Sequence, residues 1–145
     1  MRKVMVFGTF DVLHPGHLFL FEQAKQHGHF LIVIVAHDKT AHKVKGHKTT
    51  FNEQKRLNAV LSVPVVDFAT LGHLDDVYKV LEEYCPDVVC LGYDQQAFTD
   101  RLVTELKKRR LQSRIIRLPA YKPEKFKSSL LKKEGVVKSV VTIFS

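Results

Sequence analysis

Apolar runs and amphipathic segments alternate along this chain. Five apolar runs are predicted to be strands: residues 3–7, 30–36, 63–68, 87–91 and 114–118. The second of them is rich in β-branched residues, as expected of a strand covered on both faces. Helical spacing of apolar residues predicts helices over 18–26, 52–61, 74–84 and 99–110. Gly28 and Asn52 are predicted helix caps, and the lysine-rich segment 37–50 is predicted to be a loop.

This alternation predicts one α/β domain over residues 1–145. Strands that alternate with helices favour a parallel sheet with right-handed crossovers and helices on both faces. We expect a Rossmann-like, doubly wound five-stranded sheet of order 3-2-1-4-5. In that order the sheet reverses direction between its first and fourth strands, and ligands bind outside the carboxyl ends of the strands at such a point.

Composition narrows the class of protein. Apolar residues make up 45% of the 145 residues, yet no segment offers the apolar span that a membrane helix needs. The first strand begins almost at once, so we expect no signal peptide. Cys85 and Cys90 are expected to be reduced thiols, near a helix end and in the core respectively. These features favour a cytoplasmic protein without a membrane partner.

The chain is basic, with a formal net charge of +8. Positive charge suits polyanionic partners, among them nucleic acid and nucleoside triphosphates. The basic run at 107–110 ends a predicted helix, where cations suit the helix dipole. No recognition motif with interleaved aromatic residues accompanies it, so a nucleic-acid partner is not favoured.

Candidate chemistry concentrates in the turn after the first strand. There Gly8, Thr9, Phe10 and Asp11 are followed closely by His14-Pro15-Gly16-His17. A glycine turn between a strand and a helix presents backbone N–H groups to an anion, and two histidines can hydrogen-bond one phosphate. The alternatives are half of a metal site or an ordinary turn. Zinc needs three or four protein ligands, and the other six histidines form no second pair, so no metal ligands are assigned.

The GTFD and HPGH segments resemble the HxGH nucleotidyltransferases, in particular their small cytidylyltransferase-like branch. The resemblance implies that a phosphate oxygen of an acceptor attacks the α-phosphorus of a nucleoside triphosphate, with Mg²⁺, and releases pyrophosphate. His14 and His17 would donate hydrogen bonds to the α-phosphate, and the N–H groups of Thr9 and Phe10 would hold phosphate. Asp11 would order the loop or support a histidine, and Gly16 would allow close approach of the nucleotide.

The same resemblance assigns further residues to the site. Lys45 and Lys48 would bind phosphate, and Arg56 would bind the triphosphate. The ribose and base would meet the segment after the fourth strand, and the β- and γ-phosphates would meet a C-terminal element; the residues are Gly92, Tyr93, Asp94 and Gln95, then Lys127, Ser128 and Ser129. Structural alternatives stay open: a solvated basic loop, a surface arginine, an ordinary turn and a helix cap.

The acceptor is the least determined feature. Glycerol-phosphate cytidylyltransferases carry an arginine before their C-terminal Ser/Thr element; it is missing here, where Arg117 or Lys127 could substitute. Three segments resemble the archaeal-type FAD synthases, which transfer AMP from ATP to FMN: 35–40, 91–95, and 121–122 with 126–129. Phe98, Tyr121 and Phe126 could form a wall for the flavin ring. Glycerol 3-phosphate with CTP, another phosphorylated acceptor, or a binder of nucleotide or RNA that lacks the reaction are the alternatives. The apolar segment 136–144 could support a homodimer.

Overall fold

A computed structural model describes residues 1–96 and 99–122. Its five strands are β1 (Lys3–Gly8), β2 (Phe30–Val35), β3 (Phe68–Leu71), β4 (Val88–Leu91) and β5 (Arg114–Arg117). The helices are α1 (Pro15–Lys25), α2 (Asp38–Lys45), α3 (Glu53–Leu61), α4 (Lys79–Tyr84) and α5 (Leu102–Lys108). A short 3₁₀ turn, Thr99–Arg101, leads into α5.

The strands form one parallel sheet of order β3-β2-β1-β4-β5, so the predicted fold class is confirmed. β1 pairs with β2 along six residues, from Lys3 opposite Phe30 to Gly8 opposite Val35. Its pairing with β4 is shorter, with Val4 opposite Val88 and Met5 opposite Val89. The loops after β1 and β4 therefore lie at the point where the sheet reverses direction.

Alternate residues of the central strands pack into two hydrophobic cores, one on each face of the sheet. On one face Val4 and Val33 pack with Phe21 of α1 and Val60 of α3. On the other face lie residues such as Met5 and Ile32, packed with Leu81 of α4 and Leu102 of α5; all are at most 1% exposed. Each fully buried side chain of this size contributes about 1.5–3 kcal/mol of transfer free energy, so both helical layers stabilise the sheet.

The predicted bounds of the third strand, 63–68, were wrong. The strand begins at Phe68, and the segment before it is a turn in which Val66 N–H donates to the Val63 carbonyl. Val63 is 3% exposed because it packs into the core from this turn. A carboxylate oxygen of Asp67 accepts the Leu31 N–H at 2.8 Å, so β3 pairs with β2 only beyond it. An apolar run indicates that its residues are buried, but it does not show that they form a strand. Here a turn buries Val63 without the hydrogen bonds of a sheet.

A helix occupies most of the predicted loop at 37–50. Asp38 stands in the first turn of α2 and basic residues stand in the last, which suits the helix dipole. Ala41 is its buried anchor, and Gly46 ends it with φ +75°, in the left-handed region. One buried alanine is too weak an apolar signal for a pattern to detect. Other boundaries also differ: α1 runs from Pro15 and is capped at Gln26, and α4 and α5 begin later than predicted.

Candidate active site

The turn after β1 and the first turn of α1 enclose a recess of about 410 Å³. It is lined by Gly8, Thr9, Phe10, Asp11, Val12, His14, His17 and Lys45. Seven of these eight residues come from the segment that the sequence singled out, and Lys45 enters from the last turn of α2. The N-terminus of α1 adds the partial positive charge of the helix dipole.

The two histidines hold each other through the helix start. Nδ1 of His14 accepts the Gly16 N–H at 3.0 Å, and Nδ1 of His17 accepts the His14 N–H at 3.3 Å. Their rings stack, with centroids 3.8 Å apart and planes at 25°. Because each Nδ1 accepts a hydrogen bond, the proton of each neutral ring lies on Nε2. Both rings are thereby set as Nε2–H donors beside the recess.

His17 is held in its neutral form. Burial lowers its pKa to about 4, assisted by the charges of His14 and Lys45 and partly offset by a hydrogen bond with the Val12 carbonyl. At neutral pH the ring is therefore a neutral donor. Its Nε2–H can give a hydrogen bond to a phosphate oxygen in place of the one with the Val12 carbonyl, without surrendering a proton.

Phe10 has an unusual backbone that supports this arrangement. Its φ is +52°, in the left-handed region where a side chain of this size is strained. The ring is only 4% exposed and contacts His17 edge-on, with centroids 5.5 Å apart. It also occupies the space beside Gly8, where a Cβ would lie 2.6 Å from the ring. Glycine at position 8 is therefore required for the Phe10 ring to lie beneath His17.

Gly16 serves a role that differs from the predicted one. A Cβ on this residue would lie 2.8 Å from Cε1 of His14, closer than real contacts allow. Glycine thus makes room for the His14 ring over the helix start. The prediction that Gly16 admits the nucleotide remains a prediction, while the contact with His14 is present in the structure.

Asp11 binds the segment before α3, a contact that differs from its two predicted roles. Its two carboxylate oxygens accept the N–H groups of Thr50 and Phe51 at 2.8 and 2.9 Å. Burial opposes ionisation, but these hydrogen bonds and the charge of Lys45 hold the Asp11 pKa below its usual value. Asp11 therefore joins the phosphate turn to the segment before α3 as a carboxylate.

The two predicted phosphate lysines are separated. Lys45 lines the recess and its charge acts on both Asp11 and His17. Lys48 instead lines a different depression of about 400 Å³, beside Thr49 and Lys55. Because α2 ends at Lys45 and turns at Gly46, Lys48 leaves in another direction.

Arg56 lies inside the protein. The sequence analysis instead predicted that it binds the triphosphate. Its side chain is fully buried and donates four hydrogen bonds to the protein, to the carbonyls of Thr9, Ala36 and Phe51 and to the carboxylate of Asp38. The Arg56–Asp38 pair is 2.8 Å long. A buried guanidinium needs such partners because isolated charges are costly away from water. The correction is that Arg56 lies beneath the recess and does not line it.

A second cleft, of about 560 Å³, opens beside the first and shares Gly8, Thr9 and Lys45 with it. Of the predicted segment after β4, Asp94 and Gln95 line this cleft. Tyr93 is 58% exposed and does not line it. Gly92 donates its N–H to Gln95 Oε1, and Gln95 Nε2 donates to the Phe7 carbonyl. The glycine thus orders the loop, and Gln95 joins it to β1.

Several residues of the second cleft were missed by sequence reasoning. They are Phe7, Ile34, Ala36, His37, Thr40, Val44, Gly72, His73, Val77 and Gln96. His37 lies two residues after β2 and is paired with Glu53, whose carboxylate oxygen lies 3.0 Å from its Nδ1. The signal that could have found it is position: His37 and His73 follow strands whose carboxyl ends face the site.

The remaining predictions involve the C-terminal part. Lys127, Ser128, Ser129, Phe98 and Phe126 lie outside the described residues. Tyr121 is described; its ring lies 5.6 Å from that of Phe19 and 3.8 Å from the Cβ position of Gly16, near the start of α1. Arg117, considered as a substitute for the missing arginine, donates to the carbonyls of Gly92 and Gln95.

Two wider features concern metals and membranes. Within residues 1–96 and 99–122, no group of three or more His, Cys, Asp or Glu side chains could hold a metal ion. In the same part of the chain, no helix has the length and apolar character needed to cross a membrane. Cys85 caps α4 and is exposed, and Cys90 is buried in β4, where burial raises its pKa to about 12; both are free thiols, as expected.

Comparison with known proteins agrees with this geometry. The model of a family described as cytidylyltransferase-like matches residues 5–134. The chain is 42% identical over 121 residues to the FAD synthase of Aciduliprofundum boonei, covering 83% of this chain and 80% of that protein. It is 38% identical over 146 residues to the FAD synthase of Ferroglobus placidus, covering 100% and 91%.

Solved structures show the same fold. A lipopolysaccharide core biosynthesis protein from Thermoplasma volcanium superimposes with a TM-score of 0.79 at 38% identity, covering 84% of this chain and 99% of that one. A pantoate-β-alanine ligase from Francisella tularensis superimposes with a TM-score of 0.58 at 16% identity, over 84% of this chain and 61% of its own. The latter likeness concerns the fold alone.

Proposed function

This chain belongs to the cytidylyltransferase-like family, and from that premise we propose that it transfers AMP from ATP to FMN, forming FAD and pyrophosphate. The relatives named FAD synthase, about 40% identical over most of the chain, support this choice of substrates. The observation that carries the chemistry is the recess in which His14, His17 and Lys45 meet at the start of α1.

The reaction needs alignment and charge stabilisation. A phosphate oxygen of FMN forms a bond to the α-phosphorus of ATP while the bond to the pyrophosphate oxygen breaks, so no covalent enzyme intermediate is required. The Nε2–H groups of His14 and His17 donate to the α-phosphate oxygens, where negative charge develops. Lys45, which also lines the recess, supplies positive charge, and the N-terminus of α1 adds its dipole.

The two cavities are proposed to bind different parts of the substrates. The phosphates occupy the 410 Å³ recess, and the 560 Å³ cleft receives a non-phosphate part of a substrate, since both share Gly8, Thr9 and Lys45. Asp94 and Gln95 stand at that cleft as predicted contacts of the nucleotide. The predicted contacts of Lys127, Ser128 and Ser129 with the outer phosphates belong to the same proposal.

Mg²⁺ is expected to enter with the triphosphate. The ion prefers oxygen ligands and commonly binds through substrate phosphates with one or two carboxylates. Asp11 is the carboxylate of the recess, and it is ionised, but its two oxygens already accept backbone N–H groups. The donors present therefore fit an ion held chiefly by phosphate oxygens, which would neutralise charge on the leaving pyrophosphate. A cytoplasmic location and a homodimer complete the proposal.

The proposal is tested by product analysis with Mg²⁺ and each pair of ATP or CTP with FMN or glycerol 3-phosphate. We expect FAD and pyrophosphate from ATP and FMN. Formation of CDP-glycerol instead would reassign the acceptor and the base, and triphosphate binding without any product would indicate a non-catalytic relative.

His17→Ala tests the role of the recess in the same assay. Loss of one aligned donor to a developing charge costs about 100- to 1000-fold in kcat. His29→Ala is the matched control, because His29 is exposed and lies before β2, at the opposite end of the sheet. Equal activity of the two variants would contradict the mechanism.

A further inference from the structure

The buried guanidinium of Arg56 ties together the ends of two neighbouring strands. Its Nη1 donates to two carbonyl oxygens, those of Thr9 and Ala36, each at 2.8 Å. Thr9 follows β1 and Ala36 follows β2, on the edge of the sheet where both cavities open. One nitrogen thus fixes the direction of two peptide groups beside the site.

An inward carbonyl sets the direction of the following N–H. In a planar trans peptide the C=O and N–H groups point in opposite directions, and the described residues contain no cis peptide. The N–H groups of Phe10 and His37 therefore point away from Arg56. Among the described residues neither N–H has a protein acceptor. Phe10 lines the phosphate recess and His37 lines the adjoining cleft.

Arg56 also holds the helix that carries Lys45. Its Nη2 pairs with Asp38, the first residue of α2, at 2.8 Å, and its Nε donates to the Phe51 carbonyl at 3.1 Å. The Phe51 N–H is in turn held by Asp11 of the phosphate turn. The phosphate turn, the start of α2 and the segment before α3 are therefore anchored on one side chain.

We infer that Arg56 is a positioning residue, whose hydrogen bonds aim the Phe10 N–H at the substrate phosphates and the His37 N–H into the adjoining cleft, and hold Lys45 at the recess. This inference rests on the proposed function for the identity of the substrates. Arg56 itself is fully buried, so it acts through the groups that it orients.

Arg56→Ala tests the inference by kinetics. Misplacement of aligned groups by about 1 Å costs roughly 100-fold, so we expect kcat to fall about 100-fold while KM for ATP changes less than about threefold. Millimolar guanidinium ion should restore part of kcat by entering the vacated space. Arg109→Ala is the matched control, since Arg109 is also largely buried among carboxylates, but beside α4 and α5. It should keep full kcat and show no response to guanidinium.

Amide NMR provides a readout independent of turnover. In the wild-type protein α,β-methylene-ATP should shift the amide resonances of Phe10 and His37, and in Arg56→Ala these shifts should be lost. If the wild type makes no FAD yet shows this response and its loss, the proposed function fails and the positioning role stands. Arg56→Lys, which keeps the charge but cannot span the four acceptors, decides the matter if Arg56→Ala does not fold; it too should lose kcat and the amide response.

Three outcomes would overturn the inference. One is unchanged kcat in Arg56→Ala or in folded Arg56→Lys. Another is a raised KM for ATP with kcat intact, which would indicate direct contact with the triphosphate. The third is persistence of the Phe10 and His37 amide responses in the variants.

Discussion

At the scale of single residues, the site depends on side chains that hold their own backbone. His14 and His17 accept N–H groups of the helix start, and this fixes which nitrogen of each ring faces the recess. The HPGH spacing produces this arrangement, because a cap residue and the third helical residue lie within reach of each other. The HPGH motif therefore caps the helix and orients the two rings, in addition to supplying the groups proposed to act on the substrate.

The neutral state of His17 predicts how stability depends on pH. Its folded pKa of about 4 lies below the ordinary value of 6.5, so the unfolded chain binds the extra proton first. The contribution of His17 is therefore fully present above about pH 6.5 and is lost as the pH falls towards 4. In urea unfolding, wild type should lose more stability between about pH 7.5 and 4.5 than His17→Gln. His29→Gln should behave as wild type, and identical pH dependence in His17→Gln would contradict the prediction.

Gly16→Ala separates the geometry of the site from the stability of α1. The new Cβ would displace the His14 ring, so kcat should fall roughly tenfold or more. Alanine is the better helix former by up to about 1 kcal/mol, which offsets much of the roughly 0.5–2 kcal/mol lost with the His14 cap, so the free energy of unfolding should change little. Parallel kinetics and denaturant unfolding measure both effects. A normal kcat would show that the ring is free to move without loss.

At the scale of elements, α2 decides which basic residue serves the site. Charge pattern alone could not separate Lys45 from Lys48, because both stand in one lysine-rich segment. The helix places Lys45 at its last turn, and the left-handed Gly46 sends the chain elsewhere. This helix is stabilised by the tertiary burial of Ala41, so the periodicity of the sequence could not predict it.

Lys45→Ala and Lys48→Ala form a matched pair with equal loss of charge. Loss of a charged hydrogen-bond donor costs about 1.5–3 kcal/mol, so Lys45→Ala should lower kcat/KM for ATP roughly 10- to 100-fold. Lys48→Ala should stay within about threefold. An NMR titration adds a second check: removal of Lys45 should raise the pKa of His17. Equal losses in the two variants would refute the assignment.

At the scale of the whole molecule, the sheet order followed from the alternation of strands and helices, because chain connectivity restricts parallel sheets to few topologies. Conversely, Arg56 was misjudged because burial depends on neighbours distant in sequence. The sequence around an arginine in a polar helix does not indicate that three carbonyls and a carboxylate will accept its hydrogen bonds in the folded protein. The motif located the site, and tertiary contacts determined which residues line it.

The unequal pairing of β1 has a consequence for local opening. β1 is joined to β2 along six residues but to β4 along two, so we expect the β4–β5 half to separate from β1 at a lower free-energy cost than β2 does. Gln95 fastens this seam at the end where the substrates bind, through its bond to the Phe7 carbonyl. A ligand that touches both the turn after β1 and the loop after β4 closes the seam further. Occupancy of the site is therefore expected to stabilise the pairing of β1 with β4.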